Sequence, residues 1–265
     1  MYSINIKSLY FLFSILLFFT SCEKEIDLNL DENEPLFVVE AIVHDSLGDN
    51  FVKISMTKPF KDNSPITTIT NANVVIKDNF GNTFNFYQTT NGYYTDSTLQ
   101  GFSGRTYNLY INIDGVAISA TSTMPVKVNL DSLSYEQNTE AFWEDPNIPE
   151  YSVRCHFSDP LNSINYYRFK AFLRGVQEDG FQCLNDDLID GLTTYYPIFG
   201  SAFYENDSIN VQFLSIDEFS YKYFTALTAS QGGQVPGNPE TNLKGAKSVG
   251  YFGAFAKSEK NIIIK

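Results

Sequence analysis

The chain has 265 residues, 43% of them hydrophobic and 15% aromatic, with a formal net charge of −13 and two histidines. That length suffices for one large β domain or two small ones. The acidic excess repels phosphate backbones, and no basic patch offsets it, so nucleic acid is excluded as a partner class. Anionic lipid headgroups are repelled for the same reason, so membrane attachment has to rest on something other than charge.

The first twenty-one residues read as a signal peptide. Lys7 precedes the apolar run Leu9–Phe19, which is roughly half the ~20 residues a membrane-crossing helix needs. Thr20-Ser21-Cys22 follows, small residues before a cysteine. This is the pattern for cleavage before Cys22 and lipidation of its thiol. Two or three acyl chains hold a protein far more firmly than one, at about 0.8 kcal/mol per buried CH₂. Cleavage there removes Lys7 and leaves the body one charge more acidic than −13. Residues 22–35 are polar and acidic and read as a lipidated tether ending at Pro35.

A β-sandwich is expected over 36–126. Strands are predicted at Phe37–His44, Phe51–Met56, Asn73–Lys77, Thr83–Gln88, Tyr107–Ile113 and Val116–Thr123, with turns at Asp45–Asn50, Asp78–Asn82, Asn91-Gly92 and Asp114-Gly115. In Tyr107–Ile113 the residues Tyr107, Leu109, Ile111 and Ile113 alternate onto one face, as in a strand with one buried side. Short alternating strands separated by turn residues give an immunoglobulin-like or transthyretin-like sandwich.

A second β-rich unit with one helix is expected over 127–265. Residues 126–150 read as a connector. Strands follow at Tyr151–Ser158, Asn165–Val176 and Ser208–Leu214. Ser215 and Glu218 have capping-box spacing, Leu214 and Phe219 suit a hydrophobic staple, and Phe219, Tyr223 and Leu227 continue an apolar line. A helix near 216–230 is therefore predicted, stopped at Gln231-Gly232-Gly233. Val249–Ala256 and Asn261–Ile264 read as one or two closing strands.

The chemistry-bearing residues form no catalytic set. His44 and His156 are the only histidines, and Cys155 next to His156 is sent to the opposite face by strand alternation. No metal or cofactor motif is present. The acidic residues Glu178, Asp179, Asp186, Asp187 and Asp190 lack the order of a calcium loop and read as solvated. In an oxidising compartment Cys155 and Cys183 either pair or stay as buried thiols; the sequence leaves both open. Phe142 and Trp143, in a proline-bounded loop, are the candidate contact patch, with burial at the junction between the two units as the alternative. The abundant Phe and Tyr are explained by sheet packing before any ligand platform.

Several segments in order carry a resemblance: CEKEIDL, LFVVEAIV, GRTYNLYI with ATSTMP, FSDP with NYYRF, and GNPETNL before VGYFGAF. Together they resemble the Bacteroidota lipoprotein family known as domain of unknown function 4249. The Cys-x-Lys-acidic start is similar to the export signal of surface lipoproteins in such bacteria. The resemblance implies a lipid-anchored outer-membrane protein, at the cell surface or on the periplasmic leaflet. It further implies a non-enzymatic binding or accessory subunit beside a TonB-dependent β-barrel transporter. A surface glycan hydrolase using an acidic pair and a structural spacer are the alternatives.

Overall fold

Alternation along the strands decides how the layers stack. The computed structural model describes residues 34–59, 62–138, 150–200, 202–231, 239–245 and 247–265. The first half contributes β1 (Phe37–His44), β2 (Phe51–Met56), β3 (Asn73–Asp78), β4 (Thr83–Thr90), β5 (Tyr93–Thr95), β6 (Thr106–Ile113) and β7 (Val116–Thr123). The second contributes β8 (Leu130–Gln137), β9 (Tyr151–Ser158), β10 (Tyr166–Leu173), β11 (Val176–Gln177), β12 (Gln182–Asn185), β13 (Thr193–Pro197), β14 (Ser208–Ile216), β15 (Lys244–Gly245) and β16 (Ser248–Ile263). One helix, α1 (Glu218–Gln231), is present among the described residues. The protein is mainly β, as its sequence indicates.

Thirteen strands make one mixed sheet in the order β11-β10-β14-β16-β1-β2-β5-β4-β3-β6-β7-β15, with β12 pairing β10. The remaining three form a small sheet, β13-β9-β8. The large sheet is not a closed barrel. It curls so that β16 packs on β7, and the faces of β1, β2, β3, β6 and β7 enclose one core. Tyr107, Leu109 and Ile111 point into it beside Val39, Ala41 and Ile54. The small sheet lies on the other half of the large one, where Val153, Cys155 and Phe157 meet Tyr167, Phe169 and Phe213. α1 covers the opposite face, with Phe224 buried against Leu214, Tyr251 and Phe255.

β16 joins these layers. Its first half pairs β1 in parallel, from Phe37↔Ser248 to His44↔Phe255. Its second half pairs β14 antiparallel, from Ser215↔Ala256 to Ser208↔Ile263. Phe252, Ala254 and Ala256 face the first core, and Ile262 on the same face packs against the second. Tyr251 and Phe255 point the other way, under α1. Two glycines make this strand fit. Gly250 has φ +109°, and a methyl group there would collide with the Val39 carbonyl of β1. At Gly253 a methyl group would collide with the Phe255 ring, which lies over that bare position. One continuous strand therefore stands where the sequence suggests one or two.

The Asp114-Gly115 turn has φ +50° and +89°, the signature of the type I′ hairpin its sequence predicts. The helix start differs from expectation. Ser215 still belongs to β14, and its hydroxyl accepts the Val128 amide at 3.0 Å. Asp217 is the cap instead: Ser220 N donates to its Oδ1 at 2.8 Å, and the Ser122 hydroxyl of β7 donates to its Oδ2 at 2.6 Å. Extending the strand by two residues carries Ser215 out of capping range and brings the carboxylate in. The predicted stop at Gly232-Gly233, the signal peptide and the tether before residue 34 lie outside the described residues.

Candidate functional site

Two features on the β8–β14 half gather the groups of interest. The first is a pair of loops at one end of the sheets. β9 pairs β13 with Ser158↔Thr193, and β10 pairs β12 with Tyr166↔Asn185. Loops 159–165 and 186–192 therefore leave the strands side by side. Asp159 N donates to the Leu192 carbonyl at 2.9 Å, which starts the zipper. Asp159 accepts the Tyr167 hydroxyl through one oxygen and Gly191 N at 3.1 Å through the other. Asp186 accepts Asn165 N at 2.6 Å, and Asp190 accepts Asn162 N at 2.8 Å. Burial, then the neighbouring Asp159 carboxylate, pushes the Tyr167 hydroxyl well above its usual range, so it stays a donor.

Ligand oxygens of Asp159, Asp186 and Asp190 come within 4.8 Å of one another. An all-oxygen set suits a hard cation such as calcium, which takes about 6–8 oxygens. Three carboxylates fall short of that number, and each already accepts an amide or hydroxyl proton. In this structure their work is to tie the loops together.

Around this clamp the loops present aliphatic side chains outward. Leu161, Ile164, Leu188 and Leu192 are 67, 80, 90 and 53% exposed. Leu161 rests against Gly191 of the opposite loop, where an added methyl group would press into it. The two clamped loops thus carry four exposed aliphatic side chains between them.

The second feature is a cleft of about 410 Å³ lined by Thr225 and Thr228 of α1 and walled by aromatic rings. Tyr196 stacks on buried Phe169 at 4.2 Å, and Phe199 stands at 87° to Tyr196. Gln182 fixes that wall: its Nε2 donates to the Phe199 carbonyl at 2.7 Å, and its Oε1 accepts Phe199 N at 2.9 Å. The Thr228 hydroxyl of α1 donates to the Phe181 carbonyl at 3.0 Å. Behind the cleft, the Arg168 guanidinium is buried 3.8 Å from the Phe224 ring centre and 5.1 Å from that of Phe181. Among the described residues it has no ion pair, and its Nε has no hydrogen-bond partner. The rings and the nearby Tyr251 hydroxyl stabilise its charge instead.

The predicted site residues fall in several places. Cys22, Phe142 and Trp143 lie outside the described residues. Cys155 and Cys183 are free thiols on β9 and β12, in different sheets, each pushed up to about 12 by burial. His156 is separated from Cys155 and bonds Ser134 at 2.7 Å. His44 is buried against Phe255, and its Nδ1 has no partner. Of the five acidic residues, Asp186 and Asp190 enter the clamp, while Glu178, Asp179 and Asp187 do not. Sequence reasoning missed Asp159 because Asp-Pro reads as a strand end. The available signal was its place directly after an alternating strand, at a turn.

Among the described residues the protein is mainly β, with one packed helix, a carboxylate-tied loop pair and an aromatic cleft. The family does have a description. The model for a domain of unknown function, DUF4249, matches residues 23–261, and the chain belongs to that family. No curated protein matches the chain.

Proposed function

We propose that this protein is an outer-membrane lipoprotein of a Bacteroidota-type bacterium, held at the cell surface by acyl chains on Cys22. It works as a non-enzymatic binding or accessory subunit beside a β-barrel transporter. The single observation that carries the reading is the aliphatic patch Leu161, Ile164, Leu188 and Leu192 on its clamped loops. Burying one such side chain in an interface contributes about 1.5–3 kcal/mol at most. A rigid loop adds little ordering cost, so four together can anchor a partner. The Leu9–Cys22 pattern supports the lipid anchor, and the acidic body supports attachment by acyl chains alone. The hydrolase alternative draws nothing from the carboxylates that gather, since each is committed to a loop amide.

Gentle crosslinking in native membranes followed by purification tests the partner. A β-barrel protein should be recovered with the wild type and lost with Leu188→Asp plus Ile164→Asp, while the unfolding midpoint stays put. Recovery of the wild type alone sinks the proposal. Fatty-acid labelling that persists in Cys22→Ser refutes the anchor separately.

A further inference from the structure

The aromatic cleft beside α1 is distinct from the aliphatic patch, and its chemistry points elsewhere. Its outer wall is a corner of two rings, Tyr196 and Phe199, set at 87° with centres 5.7 Å apart. Tyr196 cannot swing away, because Phe169 backs it in a parallel stack. Phe199 is 60% exposed, yet Gln182 pins its backbone on both sides. An exposed ring held this firmly is prepared for a visitor.

The rim supplies the charge. Glu178 and Asp179 lead into the cleft, and Asp179 lines it. Glu178 sends its carboxylate to within 3.7 Å of where a methyl group on Gly200, another lining residue, would stand. Among the described residues neither carboxylate has an ion pair or hydrogen bond. Two carboxylates thus stand at the rim of a cleft walled by Phe181, Tyr196 and Phe199, and carboxylates and ring faces both attract a cation. Arg168 shows that the neighbouring rings already stabilise one buried cation without a carboxylate. It is not part of the lining, and no side-chain cation among the described residues lies over Tyr196 or Phe199.

We propose that this cleft binds a small organic ammonium ion, its alkylated nitrogen against Tyr196 and Phe199 and its charge answered by Glu178 and Asp179. The volume fits such an ion with part of its chain. The Gln182 amide and the Thr228 hydroxyl are engaged with backbone groups, so apolar contact and charge are the recognition elements. Arg168 beneath the floor disfavours a deep position, which places the ion at the outer corner.

The test is titration of the full chain in detergent with choline and, separately, with 3,3-dimethylbutan-1-ol, the neutral analogue of the same shape. Tyrosine fluorescence or calorimetry provides the readout. Choline should saturate and bind about tenfold tighter than the neutral analogue. Phe199→Ala and Glu178→Gln should each weaken choline several-fold; both positions are at the surface, so the fold survives. Tyr195→Ala, one residue along β13 and facing away, should leave binding unchanged. Rising salt should weaken the choline complex and spare the alcohol. Equal affinity for the two probes, an unaltered affinity in Glu178→Gln, or no saturation at tens of millimolar overturns the proposal.

Discussion

The buried imidazole of His44 makes a sharp prediction about acid stability. Burial, with the Lys257 ammonium next in effect, lowers its pKa from the ordinary 6.5 to about 4. Lys170 adds to this from β10, while Asp49 in the β1–β2 turn opposes it. The native protein therefore keeps the ring neutral at pH 5, whereas the unfolded chain has already taken up a proton. The unfolded state binds more protons between pH 6.5 and 4, so stability falls as the pH drops through that window. From the two pKa values, the loss attributable to this one ring is about 2 kcal/mol at pH 5 and about 3 kcal/mol at pH 4. The effect is absent above 6.5 and saturates once the native ring also charges. His44→Phe removes the titration while keeping a ring against Phe255. His44→Phe also gives up the imidazole's hydrogen bond to the Phe255 backbone, so it should lose about 1 kcal/mol at pH 7, a constant offset that leaves the difference in pH dependence as the test. Urea denaturation at pH 7, 6, 5 and 4.5 gives both curves. Carboxylates with lowered pKa values and no coupling to His44, such as Asp78, also lose stability in acid, but they do so in both proteins and cancel in the difference. A variant that tracks the wild type at every pH refutes the reasoning.

Other perturbations follow from the same geometry. Asp217→Ala should cost about 1–2 kcal/mol through the lost helix cap, whereas Ser215→Ala should leave helix content by circular dichroism unchanged, because its hydroxyl serves Val128. Gly250→Ala combines a left-handed φ with a collision against β1, and a loss of about 3 kcal/mol or more in urea is expected. Asp159→Asn should destabilise by roughly 1–3 kcal/mol through the buried Tyr167 contact and the loop amide, read by chemical denaturation and by faster proteolysis at 186–192. Cys155 should resist a thiol reagent at neutral pH in the native protein and react fully in urea, since burial both shields its thiol and holds it protonated.

Much of the fold was legible because alternation is a local signal. Phe37–His44, Phe51–Met56, Val116–Thr123 and Tyr151–Ser158 have the predicted bounds. Leu130–Gln137 was read as connector because only Leu130 in it is buried; a strand at the margin of a small sheet needs few apolar residues. Gln182–Asn185 and Thr193–Pro197 were missed for a related reason, since neither reaches full burial. The glycines of 248–263 suggested a break, and only the Val39 backbone and the Phe255 ring explain why they serve continuity. The site was far less legible. Asp159 meets Asp186 and Asp190 through loop pairing that no spacing reveals. The aromatic cleft draws Phe181, Tyr196, Phe199 and Thr228 from separate elements, so its composition looked like ordinary sheet packing.

The placement of β16 has a consequence for how the chain reaches its folded state. The strand inserted between β1 and β14 is made some two hundred residues after β1. Until Ser248–Ile263 emerges, β1 has its partner on one side alone, and β14 waits likewise. Contacts this distant in sequence form late and slowly. A nascent or translocating chain therefore carries two apolar strand edges, open to mispairing with other chains. Loss of the last strand does not trim this protein; it removes the seam on which both halves close. Any chaperone that accompanies the chain has those two edges to shield, and it can release them only once Ser248–Ile263 has emerged.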